Sequence, residues 1–340
     1  LHQNFLNPLL LSHLKSKVNR SASNHYFKLC KRINRALELS SLIPLFIFTS
    51  LIVVIAAMGL TRSADIIATK TGWGRIWVGA LLLGIATSLP ELATAAAASH
   101  MGAPNLATGN VFGANMLNIS KLSLLMLVLA GPSVFKNLSS QQIWAISLAL
   151  SLTIIATLFS VFGIGLKWIL VSPASIILIF VYVFGSRIVF KKSAGTSSPE
   201  PSHSSRSISW AWTIFLISAL LVFMGSPLLA YSAKEIAADL QIANSFMGVI
   251  TVAFITSMPE LVVAGTALRI KAPDLAFALI YGTNAFNIVT LAIADLFFID
   301  SSIFANLDNG SVIAGIFATI LTSLGLIHFL TRNYKSTTSV

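Results

Sequence analysis

The chain has 340 residues, of which 56% are hydrophobic and 10% are charged. This composition excludes an ordinary soluble globular domain, in which about a quarter of the residues are charged. The formal net charge of +11 would suit a nucleic-acid binder, but the basic residues lie in the N-terminal segment and in short loops between apolar runs. That distribution is typical of membrane topology, and we expect no nucleic-acid partner.

Nine predominantly apolar runs follow one another along the chain, and each is long enough to cross a bilayer as a helix. They cover residues 42–60, 76–99, 103–131, 142–163, 168–190, 210–231, 246–268, 275–298 and 311–331. An α-helix satisfies its own backbone hydrogen bonds in lipid, and the alternating pattern of a transmembrane barrel is absent. We therefore predict an all-α, multi-pass integral membrane protein with about nine to ten transmembrane helices, in the inner or plasma membrane of a cell.

Composition divides the chain into four segments. Residues 1–40 are polar and basic, which predicts either an interfacial helix on anionic lipid or a disordered extension. Residues 41–190 hold five spans and residues 209–340 about four, so each of these segments is predicted to be one repeat, without a matching tenth span. Residues 191–208 are rich in Ser and Pro, which is typical of a flexible linker. No cleavable signal peptide is expected, and the lone Cys30 cannot form an intrachain disulfide.

One stretch occurs twice in the sequence. Residues 78–119 and 247–288 align without a gap at a shift of 169 residues, and 16 of the 42 positions are identical. The first copy contains GIATSLPEL and GNVFGANMLN, and the second contains AFITSMPEL and IYGTNAFN. The two copies lie five spans apart, and an odd number of crossings reverses the chain direction. We therefore predict inverted repeats, an arrangement that secondary transporters use to build a site near the bilayer midplane.

Each copy places polar residues on one helix face inside an apolar span. The residues at i, i+3, i+4 and i+7 are Gly84, Thr87, Ser88 and Glu91 in the first copy and Ala253, Thr256, Ser257 and Glu260 in the second. Pro90 and Pro259 would each release a backbone carbonyl of the preceding turn. Ser and Thr often serve only helix packing, but a glutamate within an apolar span is costly and is a functional candidate by default. Carbonyl, hydroxyl and carboxylate oxygens together suit hard cations such as Ca²⁺ and Na⁺.

The following span of each copy carries paired asparagines and a glycine. These residues are Gly113, Asn115 and Asn118 in the first copy and Gly282, Asn284 and Asn287 in the second. The glycines would allow close helix approach. Asn118 and Asn287 are candidates to supply ligand oxygens, and the alternative is that they only hydrogen-bond a neighbouring helix.

The doubled motif resembles the α-repeats of the sodium/calcium exchanger family, within the cation/Ca²⁺ antiporter superfamily. That family's pattern is close to G-T-S-x-P-E on one helix and G-S-N-x-x-[ND] on the next, and the resemblance covers nearly all of residues 42–331. It implies alternating access, with Ca²⁺ and Na⁺ competing for one central cluster. Carried over by position, the implied ligands are Thr87, Ser88, Glu91, Asn118, Thr256, Ser257, Glu260, Thr283 and Asn287, with the carbonyls of Gly84 and Ala253.

Two residues depart from the family's pattern. Ala114 stands where the family has Ser, whereas Thr283 keeps a hydroxyl in the second copy. Lys121 lies three residues after Asn118, and its counterpart in the second copy is Thr290. Lys121 either pairs with Glu91 and stands in for a bound cation, or extends to a polar crevice or to the interface.

The expected function is a secondary antiporter that exchanges Ca²⁺ for Na⁺ or H⁺, without enzymatic activity and without a cofactor. Its expected partners are membrane lipid and the transported ions. One alternative is a proton- or monovalent-coupled exchanger with weak Ca²⁺ binding, and another is a degenerate family member that does not transport. An intramembrane hydrolase is disfavoured, since His100 and His328 lie near span ends without metal-ligand spacing. Basic residues in the loops place the linker in the cytoplasm, whereas those of the tail argue the opposite.

Overall fold

The computed structural model describes residues 20–71, 79–130, 138–168, 171–193, 206–269, 273–305 and 307–337. Helices extend over Arg20–Thr71 (α1), Gly79–His100 (α2), Pro104–Leu125 (α3), Gln142–Phe162 (α4), Pro173–Ser193 (α5), Ile208–Leu240 (α6), Asn244–Thr256 (α7), Met258–Arg269 (α8), Pro273–Phe297 (α9) and Asn309–Thr337 (α10). A π-helical turn, Met126–Ala130, follows α3, and another, Met247–Val252, lies within α7. The described residues form no β-strand beyond an isolated bridge between Trp168 and Val171.

The chain comprises two units, residues 1–44 and residues 45–340. In the first unit, residues 20–44 are helical and residues 1–19 lie outside the described ranges. Most of the predicted linker, residues 194–205, also lies outside them. The division into four segments therefore stays a prediction.

Each predicted apolar run coincides with a helix, or for residues 246–268 with the helix pair α7 and α8. By length and composition, seven of the helices described can cross a membrane, and the bent pair makes an eighth. The helix α2, which carries Glu91, is not among them. The prediction of an all-α membrane fold is confirmed, whereas the count of nine to ten spans is not established.

The helices that carry the repeated motif occupy the interior of the second unit. The apolar window of α9 is 78% buried inside the protein, compared with 17% for α5. Its neighbours include α2, α3 and α8. Large apolar side chains such as Phe180 and Leu216 are exposed on the outer helices, which is expected where a helix faces lipid.

Hydrogen bonds at the starts of the helices show that the two repeats are inverted. At one end of the unit, the Asp308 amide donates to the side-chain carbonyl of Asn105, at the start of α3 (2.9 Å). At the other end, the side-chain amide of Gln142 donates to the carboxylate of Asp274, at the start of α9 (3.1 Å). Because α3 runs from the first end to the second and α9 begins at the second, the repeated helices run in opposite directions. The predicted inversion is confirmed.

Glycines allow the backbones of α3 and α7 to touch. A Cβ added to Gly113 would lie 2.6 Å from the Cα of Val249, and one added to Gly248 would lie 2.6 Å from the carbonyl oxygen of Leu106. At Gly282 an added Cβ would meet no described atom within 4 Å, and this glycine is exposed. Close helix approach is therefore confirmed at Gly113 and not at its repeat counterpart.

One buried acid of the membrane region has a structural role. The Asp295 carboxylate accepts hydrogen bonds from the amide of Ile303 (2.7 Å), the amide of Ser172 (3.2 Å) and the hydroxyl of Ser175 (2.8 Å). The Lys167 ammonium donates to the Asp295 carbonyl (2.6 Å). These bonds join the end of α9 to the segment that leads into α5.

Candidate cation site

The structure buries every predicted ligand side chain that it describes. Thr87, Ser88, Glu91, Asn118, Thr256, Ser257, Glu260 and Asn287 are 0% exposed, and Thr283 is 1% exposed. Ala253 is fully buried too. Gly84 lies in α2, in a part of that helix whose side-chain surroundings are not described.

At the centre of the protein, threonine hydroxyls of each repeat lie near the glutamate carboxylate of the other repeat. The Thr87 hydroxyl of α2 lies 3.4 Å from the Thr283 hydroxyl of α9. The Thr256 hydroxyl lies near the Glu91 carboxylate, and the Thr87 hydroxyl lies near that of Glu260, although neither carboxylate accepts a hydrogen bond. Each threonine therefore lies beside the glutamate of the other repeat. The two glutamates also interact electrostatically, so the site gathers two carboxyl groups.

The four asparagines of the repeats form one symmetric network. The side-chain amide of Asn115 donates to the Asn284 backbone carbonyl (3.1 Å), and that of Asn284 donates to the Asn115 backbone carbonyl (3.2 Å). Asn118 donates to the Asn284 side chain (3.0 Å), and Asn287 donates to the Asn115 side chain (3.1 Å). Exchanging the repeats reproduces every bond. The network leaves the side-chain oxygens of Asn118 and Asn287 as free acceptors.

A group of buried oxygens at this centre accepts no hydrogen bond. It comprises both carboxylate oxygens of Glu91 and of Glu260, the side-chain oxygens of Asn118 and Asn287, and the hydroxyl of Ser88. Buried polar atoms are normally paired, and each exception requires an explanation. The carboxylate and amide oxygens are acceptors only, so a cation is the partner that fits them.

The motif helix is continuous in the first repeat and broken in the second. Pro90 lies within α2, whereas α7 and α8 meet at Ser257 with a bend of 47°. The Ser257 amide still donates to the Ala253 carbonyl (3.1 Å). This carbonyl, a predicted ligand, is thus hydrogen-bonded within its own turn.

Lys121 forms hydrogen bonds at the break between α7 and α8. Its ammonium donates to the Ser257 hydroxyl (2.7 Å) and to the Ser257 carbonyl (3.1 Å), and it lies 5.1 Å from the centroid of the Phe254 ring. It interacts electrostatically with Glu260 and Glu91, although neither carboxylate accepts a hydrogen bond. A direct hydrogen bond between Lys121 and Glu91 is therefore not observed, and the half-buried Lys121 contacts polar groups of Ser257, between α7 and α8, instead.

The sequence of the chain identifies its family. Residues 41–191 and 210–339 match the family described as sodium/calcium exchanger protein. The chain belongs to this family. The chain is also 30% identical, over 222 residues, to an uncharacterized membrane protein of Methanocaldococcus jannaschii, and the matched region covers 65% of this chain and 70% of that protein.

Two solved structures share the fold. The crystal structure of the H⁺/Ca²⁺ exchanger CAX superposes with a TM-score of 0.68 at 14% identity, covering 88% of this chain and 83% of that one. The sodium-calcium exchanger NCX_Mj, soaked with Na⁺ and Sr²⁺, superposes with a TM-score of 0.52 at 24% identity, covering 89% and 99%. The family assignment made from the doubled motif is confirmed, and the chain is a multi-pass integral membrane protein.

In this exchanger-family chain, sequence reasoning missed Asn110. Asn110 is fully buried in α3, donates to the Glu91 backbone carbonyl (3.4 Å) and accepts a hydrogen bond from the Thr256 hydroxyl (3.1 Å). It therefore links the two repeats at the carboxylate cluster. Its counterpart in the second copy is Leu279, so a search based on identity between the repeats passes over it. The sequence signal that could have revealed Asn110 is an asparagine within an apolar span.

Proposed function

We propose that this chain is a secondary antiporter that exchanges Ca²⁺ for Na⁺ or H⁺ by alternating access, in the inner or plasma membrane of a cell. The proposed ion ligands are the predicted ones: side chains of Thr87, Ser88, Glu91, Asn118, Thr256, Ser257, Glu260, Thr283 and Asn287, with the carbonyls of Gly84 and Ala253. No covalent step is needed, because the site consists of oxygens that bind and release ions.

The observation that carries this proposal is the group of buried, unpaired oxygens between the repeats. Ca²⁺ takes six to eight oxygen ligands and favours carboxylates mixed with neutral oxygens. Within the described residues, no group of three or more His, Cys, Asp or Glu side chains gathers. The carboxylates of Glu91 and Glu260 can together compensate the charge of one divalent ion, or of two monovalent ions or protons.

Family membership supports Ca²⁺ as a transported ion, and the names of the two similar structures indicate both Na⁺ and H⁺ as coupling ions to be tested. The alternative with weak Ca²⁺ binding is motivated by Lys121, whose positive charge lies beside both carboxylates. A family member that no longer transports is a third possibility. A single assay distinguishes it from a Ca²⁺ antiporter and from an exchanger with weak Ca²⁺ binding.

The test is ⁴⁵Ca²⁺ uptake into proteoliposomes that carry the purified protein. We expect an outward Na⁺ gradient or an outward H⁺ gradient to drive Ca²⁺ uptake, and the gradient that drives it identifies the coupling ion. Absence of uptake under both gradients, with the protein folded and oriented, would contradict the proposal and favour a non-transporting family member.

Replacing either glutamate should remove this flux. Glu91→Gln and Glu260→Gln keep the size of the side chain but remove one of the two charges that compensate Ca²⁺. We expect each to lower the gradient-driven flux by at least about tenfold, the factor that corresponds to ~1.4 kcal/mol of lost binding. Glu235→Gln, in a half-buried carboxylate near the end of α6, is the matched control and should transport normally. Full flux in Glu91→Gln or Glu260→Gln would rule out a shared central site.

A further inference from the structure

The contact between Lys121 and Ser257 resembles a cation contact rather than an ordinary helix–helix hydrogen bond. The Ser257 hydroxyl donates its single proton to the Ala253 carbonyl, so it can only accept from Lys121. The ammonium therefore faces two oxygen acceptors of one residue, at the point where the helix of the second repeat is broken. In transporters built from inverted repeats, backbone carbonyls at the break of a discontinuous helix coordinate Na⁺ or H⁺, and the Ser257 carbonyl lies at such a break.

The first repeat lacks this contact. Ser88, the counterpart of Ser257, lies in the continuous helix α2, and its buried hydroxyl has no hydrogen-bond partner. Thr290, the counterpart of Lys121, donates to the backbone carbonyl of Asn287 (2.6 Å) in its own helix. The repeats thus offer equivalent oxygens at two positions, and an ammonium occupies one of them.

We infer that Lys121 is a tethered cation that fills the monovalent position at Ser257, so that each transport cycle moves one coupling cation fewer than the oxygen ligands alone would bind. This inference rests on the proposed antiport and specifies its coupling. When both carboxyl groups are ionised, the Lys121 ammonium changes the net charge of the cluster from −2 to −1. Replacing the ammonium by a neutral side chain restores the second negative charge and opens the oxygens of Ser257, and one further Na⁺ then neutralises the cluster.

The variants that test the inference separate charge from hydrogen bonding. Lys121→Met keeps an unbranched apolar chain of similar length and removes the charge. Lys121→Gln also removes the charge but still offers hydrogen-bond donors to Ser257, and it serves as the second neutral variant if Lys121→Met folds poorly. Lys121→Arg retains the charge. Lys234→Met is the matched control, because the Lys234 ammonium also binds a backbone carbonyl, that of Met101 (2.9 Å), in a loop away from the cluster.

Two measurements are made on the purified, full-length protein. Na⁺-dependent thermal stabilisation in detergent reports monovalent binding whether or not the protein transports Ca²⁺. The Na⁺ dependence of ⁴⁵Ca²⁺ efflux from proteoliposomes, at membrane potentials set by K⁺ and valinomycin, reports the number of Na⁺ ions and charges moved per cycle.

We expect the Hill coefficient for Na⁺ to rise by about one in Lys121→Met and Lys121→Gln and the flux to gain one unit of charge per cycle, since the lost ammonium is replaced by a mobile cation. Lys121→Arg and Lys234→Met should retain the wild-type values. Equal Hill coefficients in the wild type and the neutral variants, or no Na⁺ effect in any of them, would overturn the inference. Absence of Ca²⁺ flux together with a raised Hill coefficient for Na⁺ would instead contradict the proposed function. The inference that Lys121 acts as a tethered cation would still hold.

Discussion

At the scale of single residues, Asn115 and Asn284 hold the two repeats together at the centre. Each donates its side-chain amide to the backbone carbonyl of the other. Each also accepts a hydrogen bond from the neighbouring predicted ligand of the opposite repeat. The same bonds that join the repeats therefore hold the side chains of Asn118 and Asn287, whose buried oxygens accept no hydrogen bond. Ligand geometry and repeat pairing depend on one network.

A double-mutant cycle measures this dependence. Asn115→Ala and Asn284→Ala each leave buried partners unpaired, and we expect each to lower the free energy of unfolding by roughly 1–3 kcal/mol. Because the two side chains share their bonds, the double mutant should lose less than the sum, with a coupling of about 0.5–3 kcal/mol. Denaturation in mixed micelles gives these free energies. The control combines Asn115→Ala with Asn309→Ala, which changes an exposed residue at the start of α10. The free-energy losses of these two variants should add. Additivity of Asn115→Ala with Asn284→Ala would contradict the network.

Site residues that both copies share could be predicted from the sequence, whereas the contacts of residues that only one copy carries could not. Glu91, Thr87 and their counterparts stand out because an identical polar motif recurs in apolar spans. Asn110 has the apolar counterpart Leu279, so the repeat gives no sign of its role, and Lys121 stands out from Thr290 without any sign of its partner. The contact of Lys121 with Ser257 connects residues 136 positions apart, and no local pattern specifies it.

At the scale of helices, the two motif helices differ although their sequences agree. Both copies carry Ser, a variable residue, Pro and Glu in that order, yet α2 is continuous and the second copy is divided at Ser257. The π-helical turn of α7 precedes this break, and such turns are frequent at functional sites. The apolar runs predicted where helices form, but local sequence that is common to both copies cannot predict a break that occurs in one of them.

Close packing of α3 on α7 makes a prediction at this scale. Gly113→Ala places a Cβ 2.6 Å from a backbone atom of α7, so the helices must separate at a strain of about 1–3 kcal/mol. We expect Ca²⁺ flux to fall by roughly an order of magnitude, because α7 carries Thr256 of the site. Gly282→Ala is the matched control and should transport normally, since the described structure is open there. The measurement is gradient-driven flux in protein that is monodisperse on size exclusion. Equal flux in both variants would show that the α3–α7 contact does not matter for transport.

At the scale of the whole molecule, hydrogen bonds between loops assign each connection to one of two ends. At one end, Lys234 donates to the loop between α2 and α3, and Lys167 donates to the loop after α9. At the other end, Lys70, at the end of α1, donates to the Arg206 carbonyl just before α6. Successive loops therefore alternate between the ends, as a chain that crosses a membrane repeatedly requires.

These contacts also refine the charge argument for orientation, which gives the last prediction. Basic residues in short loops remain on the cytoplasmic side, and the end that includes Lys70 and Arg206 carries most of them. At the opposite end, Lys167 and Lys234 both bind backbone carbonyls, so they have a structural role there that outweighs a charge preference. We expect a reporter inserted near Thr196 to face the cytoplasm and one near Asp308 to face the exterior. Fusions to alkaline phosphatase and to green fluorescent protein at both sites measure this. Phosphatase activity at Thr196 with fluorescence at Asp308 would show that the orientation is the opposite of the predicted one. The basic N-terminal segment, not the loops, would then orient the chain.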